Sequence, residues 1–416
     1  MSLAKTIFQH IKFYSIANFL GKGANVVIFL LIAKVFSVQE FAQYITIMIV
    51  VELLLVILLF GIDSYIMRAQ SLSSFSLTTE FIKLNIVLNF LFFILLTFLF
   101  TINFLSLYKF LLLSTLNLYL LYRVMEKFFL NFLIRTQKSE EFMKITFVLS
   151  YTQLFLVLVA YYLDFLNITS YFFLLSITIL VLVYKFFLKL KQENTIFLNK
   201  SFFKLKVNTL MDAIKLAFPF LGKNVIGSLN LYSSRVLLAV FATPIELAAY
   251  GFYLALYFKV ISLMSVLSKT FIPMMKDRIA QINKLQAVIK KYEILYLFVV
   301  LIFCASLLLA YNNIAFIQNI LSTLIKKEYL EMLNIGFIFI LCFFCSIAVM
   351  IYDFWQYSLK NVAKKILTLS FIYMILSVAG YVVLLQFYGI TEIALYYLGI
   401  NILMLFISRR YFYKIK

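Results

Sequence analysis

Phe19-Leu20-Gly21-Lys22, followed after an apolar stretch by Val35-Phe36 and Glu40-Phe41-Ala42-Gln43-Tyr44, has a second copy in the same chain. Past the midpoint stand Phe220-Leu221-Gly222-Lys223, another apolar stretch, Val240-Phe241 and Glu246-Leu247-Ala248-Ala249-Tyr250. The copies lie about half a chain apart, and the second has roughly one more helical turn between its landmarks. Each lysine falls inside an apolar run long enough to span a bilayer. A duplicated hydrophobic half with a matched intramembrane charge is the pattern of a transporter.

Composition agrees. Hydrophobic residues make up 65% of the 416 residues and charged residues 13%, too few charges to cover a soluble protein of this size. Apolar runs of spanning length predict about twelve helices, at roughly 12–35, 41–66, 81–103, 107–126, 142–163, 169–189, 214–240, 246–272, 292–311, 332–356, 366–386 and 392–409. The start shows no short apolar core with a small-residue cleavage site, so no removable signal peptide is expected. Few prolines and no strand-like alternation argue against a β-barrel. The net charge of +20 does not point to nucleic acid. The basic residues cluster in alternate loops; the opposite side carries only Lys34, Lys109, Lys326 and Lys327. That bias predicts both termini in the cytoplasm.

The longest cytoplasmic loop, 190–213, divides a first half at 1–189 from a second at 214–416. Its Lys200-Ser-Phe-Phe-Lys204-Leu-Lys206 segment mixes bases with aromatics, as a stretch lying on anionic lipid does; a dedicated binding patch is the other reading. His10 is the only histidine, which leaves no basis for a metal site or a His-based catalytic centre. Cys342 and Cys345 have the spacing of a redox pair, but their apolar setting makes them core thiols. No glycine-rich phosphate loop is present, so no ATP site is expected. No carboxylate cluster stands ready to hold a divalent metal. The cofactor expectation is therefore none beyond a coupling ion, H+ or Na+, or the membrane potential.

A charge at the centre of a span costs about 2.5–3.5 kcal/mol on insertion scales. Lys22, Lys223, Arg235, Lys259, Lys269 and Glu52 should therefore face a wet cavity or each other. At 100° per residue, Ser15, Asn18, Lys22 and Asn25 fall within an arc of about 80° on the first helix. Pro219, Lys223, Gly227, Asn230 and Ser234 fall within about 60° on the seventh. These stripes either line a shared central cavity, or their lysines snorkel or pair structurally. Arg235, one turn beyond, reaches the cavity or anchors the helix end. Aligning Tyr44 with Tyr250 sets Lys259 opposite Leu53, beside Glu52, so a Glu52–Lys259 pair is one reading and pairing within each half the other. Asp63 aligns with Lys269, and Arg68 lies just beyond. These three read as a cytoplasmic gate or as solvated interfacial charges. Asp353 and Trp355 read as interfacial anchors.

Val35-Phe-Ser-Val-Gln-Glu-Phe-Ala-Gln-Tyr44 and Gly61-Ile-Asp-Ser-Tyr-Ile-Met-Arg68 are similar to the first two helices of bacterial polysaccharide and O-antigen flippases. Those proteins belong to the multidrug/oligosaccharidyl-lipid/polysaccharide exporter (MOP) superfamily. Phe271-Ile-Pro-Met-Met, Lys327-Glu-Tyr-Leu and Tyr388-Gly-Ile-Thr-Glu-Ile-Ala also resemble that family, in the same order. Where the family commonly has Asp-Arg in the seventh helix, this chain has Ser234-Arg235.

The resemblance implies an all-α membrane protein with two pseudo-symmetric six-helix bundles, forming a V-shaped, alternating-access transporter of the cytoplasmic membrane. It implies an undecaprenyl-pyrophosphate-linked oligosaccharide as substrate, moved from inner to outer leaflet. Membrane lipids, a polysaccharide polymerase and a chain-length regulator are the implied partners of a monomeric chain. Lysines neutralise a pyrophosphate well at low dielectric, and Asn and Ser hydrogen-bond sugar hydroxyls. Two alternatives stand: a multidrug or small-solute antiporter of the same fold, supported by Glu52, and a membrane polysaccharide polymerase, which would need a large external loop.

Reporter fusions after Lys206 and after Lys416 are expected to report cytoplasm. An external readout at either position contradicts the orientation.

Overall fold

The computed structural model describes residues 3–62, 74–136, 138–184, 207–276, 282–322, 325–352 and 362–414. Helices occupy them: α1 (Leu3–Val35), α2 (Val38–Leu59), α3 (Ser74–Thr101), α4 (Leu107–Arg135), α5 (Ser139–Tyr162), α6 (Ile168–Ile177) and α7 (Val207–Phe241). The second part continues with α8 (Pro244–Lys276), α9 (Ile282–Asn312), α10 (Ile314–Leu321), α11 (Lys327–Leu330), α12 (Leu333–Tyr352), α13 (Val362–Phe387) and α14 (Ile390–Tyr413). No strand occurs among the described residues. Each of the twelve expected spans overlaps one of these helices, although the ends of 41–66, 169–189 and 332–356 lie outside the described residues. Seven stretches among the described residues are long and apolar enough to cross a membrane: Val38–Leu59, Glu80–Thr101, Ser139–Tyr162, Pro244–Ser262, Leu333–Tyr352, Thr368–Phe387 and Ile390–Tyr413. The chain is thus a multi-pass, all-helical membrane protein. Helices suit such spans because they satisfy every backbone group within the segment.

Several boundaries differ from the sequence reading for local reasons. α1 and α7, with 33 and 35 residues, are longer than the roughly 30 Å hydrocarbon layer requires at 1.5 Å per residue. They begin before the expected starts at 12 and 214. α2 stops at Leu59 because Phe60 and Gly61 take positive φ, 50° and 73°, the left-handed turn that ends a helix. The segment 312–331, left between the spans expected at 292–311 and 332–356, is mostly helical among its described residues, as α10 and α11. The basic-aromatic segment 200–206, with most of its loop, lies outside the described residues up to Lys206.

The repeated glutamates have a local explanation. Ser37 Oγ accepts from the Glu40 amide at 3.2 Å, and the Ser37 amide donates to Glu40 Oε2 at 2.8 Å. Thr243 and Glu246 repeat this arrangement at 3.4 and 2.9 Å. Both are capping boxes that satisfy orphan amides at the starts of α2 and α8. Pro244 at the first position of α8 fits the same role.

The chain forms two compact units, Met1–Ile49 with Leu229–Lys416, and Val50–Ser228. α1 packs along α8, which joins the start of the chain to its later part. In the first unit, rings of Phe29, Phe41, Phe252 and Tyr329 form a buried stack. Phe29 and Phe252 lie 5.6 Å apart, Phe252 and Tyr329 5.2 Å, and Phe41 and Tyr329 5.5 Å. Gly336 lets Tyr253 approach: a Cβ there would sit 2.8 Å from the Tyr253 ring, whose hydroxyl donates to the Tyr329 carbonyl at 2.7 Å. Between helices in lipid there is no hydrophobic drive, so such close packing carries the association. Also in this unit, Glu293 of α9 takes both nitrogens of an Arg409 fork at 3.1 and 3.0 Å, together with the Tyr413 hydroxyl at 2.7 Å. That bidentate pair fixes α14 on α9. Cys342 and Cys345 are free thiols, Cys342 buried. In the second unit α3, α4, α5 and α6 pack on one another. Gln153 at its centre donates from Nε2 to Tyr122 at 2.9 Å and to Thr178 at 3.1 Å.

Candidate functional site: a cationic turn of α8

In the first unit one turn of α8, Phe258 to Ser262, meets three in-span cations. Lys22 of α1, half-buried, donates from Nζ to the Ser262 carbonyl. Lys259 of α8 donates from Nζ to the Asn25 carbonyl of α1 at 3.2 Å. Its ammonium also stands 5.2 Å from the Phe29 ring centroid. The two links run in opposite directions across one helix pair. Their acceptors are main-chain oxygens three residues along from the other lysine, Asn25 after Lys22 and Ser262 after Lys259. Ser262 Oγ donates back to the Lys259 carbonyl at 2.7 Å.

Arg235 of α7 completes the group. It is 5% exposed, with its guanidinium 4.8 Å from the Tyr232 ring centroid and 5.1 Å from that of Phe258. Cation–π contact of this kind is worth about 2 kcal/mol when desolvated. Asn230 and Ser234 are buried on the same helix, and Asn230 Nδ2 donates to the Ser370 carbonyl at 3.3 Å. α1 contains no acidic residue, and α8 contains only the capping Glu246. Lys22 and Asn25 of the expected stripe therefore come together with Lys259, while Asn230, Ser234 and Arg235 share one helix. The side chains of Asn18, Lys223 and Lys269 lie outside the described residues, as do Asp63, Arg68, Asp353 and Trp355.

Glu52 takes a partner that the sequence reading did not assign. In the second unit its Oε1 accepts from Arg123 at 3.1 Å, and Arg123 also reaches Glu126 at 3.6 Å. Glu52 and Arg123 side chains are 19% and 26% exposed. Of the two readings for Glu52, a pair within its own half is the one this bond supplies, while Lys259 bonds the main chain of α1. Arg123 lies near the end of the expected span 107–126, and the helix runs on past it to Arg135. The signal for Arg123 was its i,i+3 spacing to Glu126 on a long helix.

No protein-family model matches the sequence, and no curated protein matches it. Solved structures do. The chain is similar to a MATE transporter in complex with MaL6, at 12% identity and TM-score 0.65, covering 98% of this chain and 95% of that one. It is also similar to a mutant of the Vibrio cholerae MATE transporter VcmN, at 16% identity and TM-score 0.64, over 99% and 97%. A third is a Pyrococcus furiosus MOP superfamily transporter described by a binding pocket of reverse polarity that suggests a different function, at 11% identity and TM-score 0.62, over 98% and 95%. At these identities the likeness is one of fold. The chain has the fold of MATE transporters of the MOP superfamily. The matches bear out the fold that the sequence resemblance implies, and they do not reach its O-antigen-flippase part.

Removing one partner of the Glu52–Arg123 pair leaves a partly buried charge without this counter-ion. Glu52→Gln is expected to lower stability by about 1–3 kcal/mol. In a double-mutant cycle with Arg123→Met the two should couple by about 0.5–3 kcal/mol, read from thermal unfolding in detergent. Additive losses would contradict the pairing.

Proposed function

We propose that this chain is a secondary transporter that exports amphiphilic solutes by alternating access. The first reading is cation-coupled antiport of small solutes. It rests on one observation, a fold shared over nearly the whole chain with MATE transporters, one of them described as a multidrug resistance transporter. The loop charge bias supports placing it in a bacterial cytoplasmic membrane with both termini inside.

A second reading has its own support. Lys22, Lys259 and Arg235 gather at one turn of α8. α1 and α8 supply no acid beyond the capping Glu246, and Asp212 of α7 stands about six turns before Arg235. A lipophilic cation needs a carboxylate in its pocket; cations suit an anionic head such as a pyrophosphate. The Pyrococcus furiosus transporter, described by a pocket of reverse polarity, supports the idea that this fold serves pockets of either sign. Under this reading the substrate is a lipid-linked oligosaccharide pyrophosphate, with the lipid tail remaining in the bilayer.

Expression in efflux-deficient bacteria separates the two. The antiport reading predicts faster extrusion of a cationic dye, abolished when the H+ and Na+ gradients are collapsed. Absence of dye extrusion, with restored surface glycan in a strain lacking its own flippase, would replace it by the second reading. Failure in both assays contradicts both.

A further inference from the structure

The pairing of α9 with α14 orients a charged surface that the transport reading does not use. The Arg409 fork donates to Glu293 at 3.1 and 3.0 Å, so these two positions face each other. About two turns earlier on α9, Gln286 Nε2 donates to the Phe412 carbonyl of α14 at 2.8 Å. The two contacts run in opposite chain order, so the helices are antiparallel. Ile289 and Tyr296 of α9 and Phe412 of α14 turn to one side of the pair, into the buried group around Ala348 and Tyr352. That settles which side of each helix is outward.

At 100° per residue, Lys290 lies about 60° from Glu293, on the side away from Ile289 and Tyr296. On α14, Arg410 lies about 100° and Lys414 about 140° from Arg409, on the side away from Phe412. All three are exposed. Each stands within about 8 Å of the Glu293–Arg409 level along the helix axes. Three cations from two helices thus share one outward face.

The same face continues as an apolar stripe. Leu297 and Leu301 lie about 40° and 80° from Glu293, and Phe406, Leu403 and Leu395 about 60°, 120° and 40° from Arg409. All five are exposed. The face therefore carries cations at one end and apolar surface for about 20 Å beyond them. One leaflet of a hydrocarbon core roughly 30 Å thick needs about 15 Å.

The local acid is already engaged. Glu293 accepts from Arg409 and from the Tyr352 and Tyr413 hydroxyls at 2.5 and 2.7 Å. It is the one acid of α9, and the one acid of α14 is Glu392, in the first turn at the opposite end. Exposed cations alone would suit any anion. The apolar groove that continues from them selects an anion with a lipid tail.

We propose that this face binds an anionic phospholipid of the bilayer, its phosphate among Lys290, Arg410 and Lys414 and its acyl chains along the groove between α9 and α14. Basic pockets between helices at the headgroup level suit such lipids. The site is independent of the solute that the chain transports.

The test uses the full chain in phosphatidylcholine nanodiscs carrying a trace of phosphatidylglycerol with a diazirine on its acyl chain. The comparison probe is phosphatidylcholine with the same tagged chain, and labelled peptides are read by mass spectrometry. Phosphatidylglycerol is expected to label 294–301 and 395–408 at least about 5-fold more, the factor for one basic residue's attraction to anionic lipid. Peptide 86–98 of α3, apolar and largely exposed, should show no such preference. Lys290→Gln with Arg410→Gln and Lys414→Gln should abolish the preference while the melting temperature holds, because the Glu293–Arg409 pair stays intact. Lys414→Gln alone, at the helix end, is the second variant and should lower it in part. Equal labelling by the two probes, a preference that survives these substitutions, or the same preference on 86–98 would each overturn the proposal. Displacement by glycerol phosphate would assign the cations to a soluble anion and overturn it. Displacement by farnesyl pyrophosphate but not by untagged phosphatidylglycerol would assign the face to transported substrate and overturn it too.

Discussion

An ammonium inside a low-dielectric span needs oxygen within reach, and that need organises the first unit. Lys22 and Lys259 answer it with each other's helix: one bonds the Ser262 carbonyl, the other the Asn25 carbonyl. A lysine that snorkelled would satisfy itself alone. Two lysines that cross instead tie α1 to α8 over one turn, at a burial cost of about 2.5–3.5 kcal/mol each on insertion scales. The aromatic stack of Phe29 and Phe252 on the same helix pair extends to Phe41 of α2 and Tyr329 of α11. Because α1 is bound to α8, it belongs by contact with the later half of the chain. Arg235, directed onto the Phe258 ring, brings a third cation to the same turn.

The second unit meets the same constraint differently. Arg123 is balanced by opposite charges, Glu52 and Glu126. Its amides, Gln153, Asn85 and Asn117, join helices without charge. One unit therefore gathers cations at a single turn, and the other holds a balanced network.

Much of this is legible in the sequence because it depends on neighbours along the chain. The spans follow from local apolar length, and Lys22, Arg235, Lys259 and Glu52 stand out as charges inside them. Glu40 and Glu246 are legible as a repeat, although their physical role is the capping box. What stays hidden depends on contacts between helices. Arg123 lies near the end of its expected span, 107–126, where a charge looks solvated, but the helix continues to Arg135 and its partner Glu52 stands on α2. The partner of Lys22 is a backbone carbonyl 240 positions away, and a carbonyl has no sequence signature. A cavity between α3, α4 and α6 is walled by residues of three helices, so no single stretch announces it.

The proposed function makes one central claim, that the crossed lysines of α1 and α8 are retained for transport, at a burial cost that their carbonyl bonds do not repay. Replacing an in-span charge by a hydrophobic residue of similar volume relieves its burial cost and is commonly neutral or stabilising. The most direct measurement pairs thermal unfolding with transport in proteoliposomes, of the solute that the wild-type chain carries, for the Lys22→Met, Lys259→Met double variant. The account predicts a melting temperature unchanged or raised and transport reduced by at least about tenfold, the factor for 1.4 kcal/mol. A melting temperature lowered by several degrees, or transport at the wild-type rate, would contradict it.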